Sequence, residues 1–169
     1  MKLFRHFFIL AISISLIACT GDDDAPAYEL NTENLSAASY NVTYLVFNGT
    51  QTQNVNGLDI VTEDITEGET FQLTITFREN GTYISDGQYV VNTQRTVAGE
   101  IVSQSTYIED IDGYIGTYTS NNSTMQLLMD ETLFDVTLFN NNQLRLSVSD
   151  AYTEDGVDYV ESFEIRMER

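Results

Sequence analysis

Hydrophobic and polar positions alternate with a period of two along most of this chain. The clearest run is Phe71-Gln72-Leu73-Thr74-Ile75-Thr76-Phe77-Arg78. It places Phe71, Leu73, Ile75 and Phe77 on one side and Gln72, Thr74, Thr76 and Arg78 on the other, the pattern of a half-buried strand. Glu79-Asn80-Gly81 follows and predicts a hairpin into Thr82-Tyr83-Ile84, because Asn and Gly tolerate positive φ. Gly87 and a strand over 88–92 come next. The same grammar predicts strands over 101–108, 114–118, 125–129, 133–139, 143–149 and 157–167, separated by Asp112-Gly113, Asn121-Asn122, Asn140-Asn141-Asn142 and Glu154-Asp155-Gly156. In the last of them Phe163, Ile165 and Met167 alternate with Glu164, Arg166 and Glu168. With 40–47 at the start, eight or nine strands are expected. Residues 48–68 are polar apart from Leu58-Asp59-Ile60-Val61 and predict a loop or short edge strand. A helical turn is expected near 32–38. No segment sustains a 3.6 period long enough for a βα crossover, so the sheet is expected to be antiparallel. An all-β meander closed into a barrel would remove the unpaired edges; a two-sheet β-sandwich reads the same way and is the alternative.

The first residues follow a different pattern. Lys2 and Arg5 precede an apolar stretch of about ten residues, Phe7 to Leu16, too short for the roughly 20 that a membrane-spanning helix needs. Leu16-Ile17-Ala18-Cys19 ends it, and Cys19 is the single Cys of the chain. This resembles a bacterial lipobox. The resemblance implies that residues 1–18 are a signal peptide and that Cys19 is lipidated, with acyl chains such as palmitate serving as the membrane anchor. A thioether at Cys19 would consume the thiol and leave no disulfide to form. Asp22, Asp23 and Asp24 come next. An acidic run at that position resembles the surface-export signal of Bacteroidetes lipoproteins and implies an outer-membrane protein facing the cell exterior. The plainer reading is a solvated tether over 19–34, extended by like-charge repulsion.

Residues 35–169 resemble the lipocalin-like lipoproteins of Bacteroidetes. Leu35-Ser36-Ala37-Ala38-Ser39-Tyr40-Asn41-Val42 is similar to their opening, which usually reads Leu-x-Gly-x-Trp before a strand. Phe77-Arg78-Glu79-Asn80-Gly81-Thr82-Tyr83 is similar to their second hairpin, Gly87-Gln88-Tyr89-Val90-Val91 to the strand after it, and Leu144-Arg145-Leu146 with Arg166 to their closing strands. Ser39 and Tyr40 stand where Gly and Trp would be expected. The resemblance implies a lipocalin-like barrel closed at one end, with Tyr40 taking the place of the Trp beneath Arg166 through a cation–π contact.

Composition narrows the chemistry. Without residues 1–18 the chain has no Lys and no His, and five Arg face 26 Asp and Glu, for a formal charge of −21. A basic nucleic-acid face is excluded, since phosphate counterions are displaced by Lys and Arg. Without His there is no Ser/His/Asp triad, Cys/His dyad or His-ligated metal. Paired carboxylates remain, but Asp110, Asp112, Asp130 and Glu131 lie at predicted turns, where Asp is favoured for its side-chain-to-backbone bonds, and Asp135 falls on the solvent side of a strand. Glu109-Asp110-Ile111-Asp112-Gly113 does not match an EF-hand and reads as a turn. No catalytic residue, metal or cofactor is expected, and the protein is not expected to be an enzyme. Aromatic residues could line a cavity, and Tyr83, Tyr89, Tyr107, Tyr114 and Tyr118 are the candidate ligand-binding residues, because a buried phenol must find a polar partner. The first functional expectation is a barrel that binds a small apolar or amphipathic molecule. The second is a non-catalytic interaction domain of an envelope complex whose protein partner the sequence does not name.

Overall fold

The computed structural model of the protein describes residues 28–169. A five-residue helix, α1 (Thr32–Ser36), precedes nine strands: β1 (Tyr40–Val55), β2 (Leu58–Phe77), β3 (Thr82–Val97), β4 (Glu100–Asp110), β5 (Tyr114–Asn121), β6 (Gln126–Met129), β7 (Thr132–Phe139), β8 (Gln143–Glu154) and β9 (Val157–Glu168). All pair antiparallel in one sheet of order β2-β1-β9-β8-β7-β6-β5-β3-β4, and a β2–β3 pairing closes eight of them into a ring. The fold is all-β and barrel-like, as the alternation predicts, and it is one sheet and not a sandwich. β4 stands outside the ring, against β3.

Two predicted elements change. Residues 48–68 form no loop: β1 runs on to Val55, Asn56-Gly57 turns the chain, and β2 begins at Leu58. The segment is polar yet extended because β1 lies between β2 and β9 along this stretch, so its backbone groups are bonded on both sides. Residues 82–84 and 88–92 are parts of one strand, β3. Its neighbour changes on the way, from β5 at Thr82–Ser85 to β4 at Gln88–Val97. The switch falls at Gly87, whose φ is +119° and where a Cβ would lie 1.9 Å from the Gln72 carbonyl oxygen. The Gly87 amide, free of a strand partner there, donates to Asp112 Oδ1 at 2.8 Å, while Ile111 N donates to the Gly87 carbonyl. Asp112 and Asp110 are thus turn residues, the latter accepting from Asp112 N.

One end of the ring is plugged. Asn31 caps α1 by accepting from Asn34 N at 2.8 Å. The helix sets Leu30 and Leu35 into the end, where they join Tyr40, Phe77, Tyr118, Leu127, Phe139 and Leu144 in the core. Phe77 meets Tyr118 and Tyr40 edge-on, at centroid distances of 4.9 and 5.8 Å. Ring, plug and core all lie within residues 28–169, which therefore form a unit with its own hydrophobic core.

At the other end the strands part company. β5, β6 and β7 stop at the mouth, whereas β8, β9, β1, β2, β3 and β4 run past it as a flared single layer. Among the described residues no second layer covers it, and cross-strand side-chain pairs tie it together instead: Asp64–Arg95 through two bonds of 2.6 and 2.8 Å, Thr93–Ser105, Gln94–Gln104 and Asn92–Thr106 at 2.7 Å, and Tyr152 stacked on Tyr159 at 4.9 Å. Three hairpins tip it, Asn56-Gly57, Ala98-Gly99 and Asp155-Gly156, each with positive φ at both positions, the backbone twist that suits two-residue turns.

Candidate ligand site in the mouth of the ring

The inward residues above the plug do not fill the ring. Ile75 of β2, Tyr83 and Ser85 of β3, Met129 of β6, Asp130 and Thr132 of the β6–β7 hairpin, Phe134 of β7, Leu146 of β8, and Phe163, Ile165 and Met167 of β9 line a hollow of about 230 Å³ that opens at the mouth. The register explains the grouping: Ile75 pairs with Ser85, Leu146 with Ile165, and Phe47 with Phe163, so alternate residues of adjacent strands share the inner face. Larger depressions lie outside the ring. One, of about 440 Å³, lies on the outer face of the flare among Gln94, Gln104, Asn92 and Thr106, an open polar groove with little apolar wall to hold a ligand.

The hollow has an apolar side, formed by β2 and β7–β9, and a polar corner at β3 and the β6–β7 turn. Ser85 is 6% exposed, the one buried polar side chain besides the tyrosines among the described residues. Asp130 is the one charged residue lining the hollow among those described. Its Oδ2 accepts from Tyr83 Oη at 2.7 Å and from Tyr114 Oη at 2.9 Å, and its Oδ1 from Thr117 N at 2.8 Å. The Thr117 amide first, and then the Tyr83 hydroxyl, hold the carboxyl below the usual range. Conversely, burial and the neighbouring Asp130 push the Tyr83 phenol up, and the bond to Asp130 does the same at Tyr114. Gly116 makes the arrangement possible: a Cβ there would fall 2.4 Å from the Tyr83 ring and 2.7 Å from Asp130 Oδ1.

The five tyrosines named from sequence do not gather. Tyr83 lines the hollow. Tyr114 is exposed and touches the site through Asp130. Tyr118 belongs to the plugged end, where its hydroxyl donates to the Arg78 carbonyl at 2.8 Å. Tyr89 stacks on Phe71 at 5.6 Å on the inner face of the flare, and Tyr107 is exposed on β4. Ser85 and Asp130 are the polar groups that alternation misses. Asp130 reads locally as a turn acid, and its tyrosine partners come from positions 47 and 16 residues away. The other carboxylates considered do not converge on the hollow; Asp135, exposed on β7, accepts from Gln126 at 3.2 Å.

The closing arginine is corrected. Arg166 lies on the outside, 4.2 Å from the Tyr44 ring centroid and 2.6 Å from Glu164. The guanidinium over Tyr40 is that of Arg169, 4.6 Å from the ring centroid. Its Nη2 donates to Tyr40 Oη at 2.5 Å and to the Asn34 carbonyl, its Nη1 to Tyr28 Oη at 2.9 Å and the Asn141 carbonyl at 3.0 Å. Strand alternation explains the swap, since Arg166 sits between the inward Ile165 and Met167 and must face out. Cys19, Asp22, Asp23 and Asp24 lie outside the described residues. Among those described, no helix is long and apolar enough to cross a membrane and no group of three or more potential ligands is placed to hold a metal. Comparison with protein-family models, curated proteins and solved structures finds no match.

Proposed function

We propose that this protein is an outer-membrane lipoprotein, exposed at the cell surface through an anchor at Cys19, whose lipocalin-like ring binds a small apolar or amphipathic molecule. The observation that carries the reading is the hollow of about 230 Å³ inside the ring, apolar on most of its wall and open at one end. An apolar cavity of about 150 Å³ takes up benzene, so by proportion this one suits a molecule of about nine non-hydrogen atoms. Ligand binding needs no catalytic group, and the protein acts as a carrier or sensor and not as an enzyme. Native mass spectrometry of residues 28–169 tests the pocket. A discrete mass increment that vanishes on denaturation supports it; a bare chain that stays bare after incubation with small aromatic compounds overturns it. The anchor is tested separately. Cys19→Ser should move the protein from the membrane to the soluble fraction, and replacing Asp22, Asp23 and Asp24 with Ala should keep it on the membrane but hide it from added protease.

The second reading, a non-catalytic interaction domain of an envelope complex, is favoured by β4. Among the described residues its outer edge has no strand partner, no charge interrupts Ile101 to Ile108, and Ile101, Val102, Tyr107 and Ile108 are exposed. A Thr106→Pro variant would abolish association through this edge while sparing the hollow.

A further inference from the structure

The polar corner of the hollow specifies the ligand class, and this step rests on the ligand-binding reading above. A carboxylate offers about four acceptor positions, and three donors occupy all but one of those of Asp130, leaving a position on Oδ1. All three donors are neutral, and none of the ion pairs among the described residues includes Asp130. Tyr83 spends its one hydroxyl hydrogen on the bond to Asp130, so its oxygen can only accept from a ligand. Among the described residues no Arg lines the hollow. What this corner lacks is therefore a positive charge to match Asp130 and a donor for its remaining acceptor position.

We propose that the hollow takes a small cationic amphiphile: a protonated amine that donates to Asp130 and the Tyr83 oxygen, on an aromatic or alkyl body of about eight carbons that packs against Ile75, Leu146, Phe134, Phe163 and Ile165. Ser85 supplies a hydroxyl in the wall that can turn to donate or accept. A carboxylate-bearing ligand of the same size would meet Asp130 head-on and enter a molecule of strongly negative net charge. Asp130 is a carboxylate at neutral pH, and the bonds from Thr117 and Tyr83 favour its charged form further.

Three isosteric probes separate the alternatives: phenethylamine, 2-phenylethanol and phenylacetate, titrated into residues 28–169 and followed by amide chemical shifts of Ile75, Ser85, Leu146 and Ile165. Asp130 is exposed at the rim, so its effect is that of a surface charge: at low salt phenethylamine should bind about three- to fivefold tighter than phenylethanol, with phenylacetate weakest, and the preference should shrink at high salt. Asp130→Asn keeps a residue that accepts the positive φ of 51° at this position and should bring phenethylamine and phenylethanol to equal affinity. Phenylethanol binding as tightly as phenethylamine in the unaltered protein would overturn the cation assignment and leave the pocket standing. An amine preference that survives Asp130→Asn would also overturn it. Failure of all three probes to shift those amides would overturn the pocket itself.

Discussion

Replacing Arg169 with Met tests what closes the ring. The substitution keeps an unbranched apolar stem but ends it short of the guanidinium, so the charge and the donors are lost. Tyr40 is fully buried, so without Arg169 its hydroxyl would have to find a new partner or go unpaired, at about 1–3 kcal/mol. The cation–π contact with Tyr40 adds about 0.5–2 kcal/mol, and the bonds to Tyr28, Asn34 and Asn141 tether the plug to the β7–β8 turn. Two effects oppose this loss. Arg169 Nε is buried without a partner, and removing it recovers about 1 kcal/mol; water can also reach the carbonyl groups at the rim. The net cost is about 2–4 kcal/mol, or roughly 6–14 °C in Tm for a domain of this size. Urea unfolding of residues 28–169, monitored by tyrosine fluorescence and circular dichroism, measures it. Arg166→Met is the control: its pair with Glu164 is half exposed, and the loss should stay below about 1 kcal/mol. If Arg169→Met costs under 0.5 kcal/mol, or Arg166→Met costs as much as Arg169→Met, the reasoning about the plug fails.

Three further outcomes are expected. Ala98 holds a φ of 51° in a turn where the sister hairpins place Asn56 and Asp155, so Ala98→Asn should stabilise the protein by about 0.5–1 kcal/mol, read as a rise of about 2–4 °C in Tm; a fall would refute the strain argument. Burial, opposed by Arg169, pushes the Tyr40 phenol up to about 12, while an unfolded tyrosine ionises near pH 10. A raised folded value means a contribution fully present below pH 10 and lost as pH climbs towards 12, so urea midpoints should fall over that interval and fall less in Tyr40→Phe. Leu146, 1% exposed, forms part of both core and hollow; Leu146→Ala should cost about 2–5 kcal/mol and admit larger aromatic probes, and unchanged probe selectivity would place the binding site elsewhere.

Strand alternation was legible in the sequence wherever one face meets the core. Leu73, Ile75 and Phe77 are buried on one side of β2, and Ile165 and Met167 on one side of β9, as their spacing predicts. The turns at Asn80-Gly81, Asp112-Gly113 and Asp155-Gly156 were legible because Asn, Asp and Gly mark positive φ, whereas those at Asn56-Gly57 and Ala98-Gly99 were not, the first because no alternating strands flank it and the second because Ala98 carries no turn signal. The candidate site was much less so. Tyr83 and Tyr118 are both buried phenols, yet one faces the hollow and the other the plug, a difference set by ring position and not by local pattern. Arg166 and Arg169 differ by three positions, which on a strand puts them on opposite faces. The resemblance pointed to the residue facing outward, while the structure uses the one just past the end of β9.

The misreading of residues 48–68 has a physical cause. A strand announces itself through alternation when one of its faces is buried, and the flare buries neither. Along β1 the outward row Asn48, Thr50, Thr52 and the inward row Gly49, Gln51, Gln53 both lack large apolar side chains, and in β2 the apolar Ile60 and Val61 are neighbours on opposite faces, so no period of two survives. What holds these residues extended is the backbone ladder on both sides, reinforced by pairs such as Asp64–Arg95 and Thr96–Glu63. Hydrogen bonds without a covering layer stay open to solvent, and such regions open locally at a fraction of the global unfolding energy. Amides of β1 and β2 in the flare should therefore exchange much faster than those of Leu73, Ile75 and Phe77 in the same strand. Uniform protection along β2 would show that something other than the ladder covers the flare. Ligand added to the hollow should slow exchange at Ile75 and Ser85 first and leave the tips unchanged, whereas a partner on the β4 edge should slow exchange along β3 and β4 and leave the hollow unchanged. One exchange experiment thus separates the two functions that the ring and its flare can support.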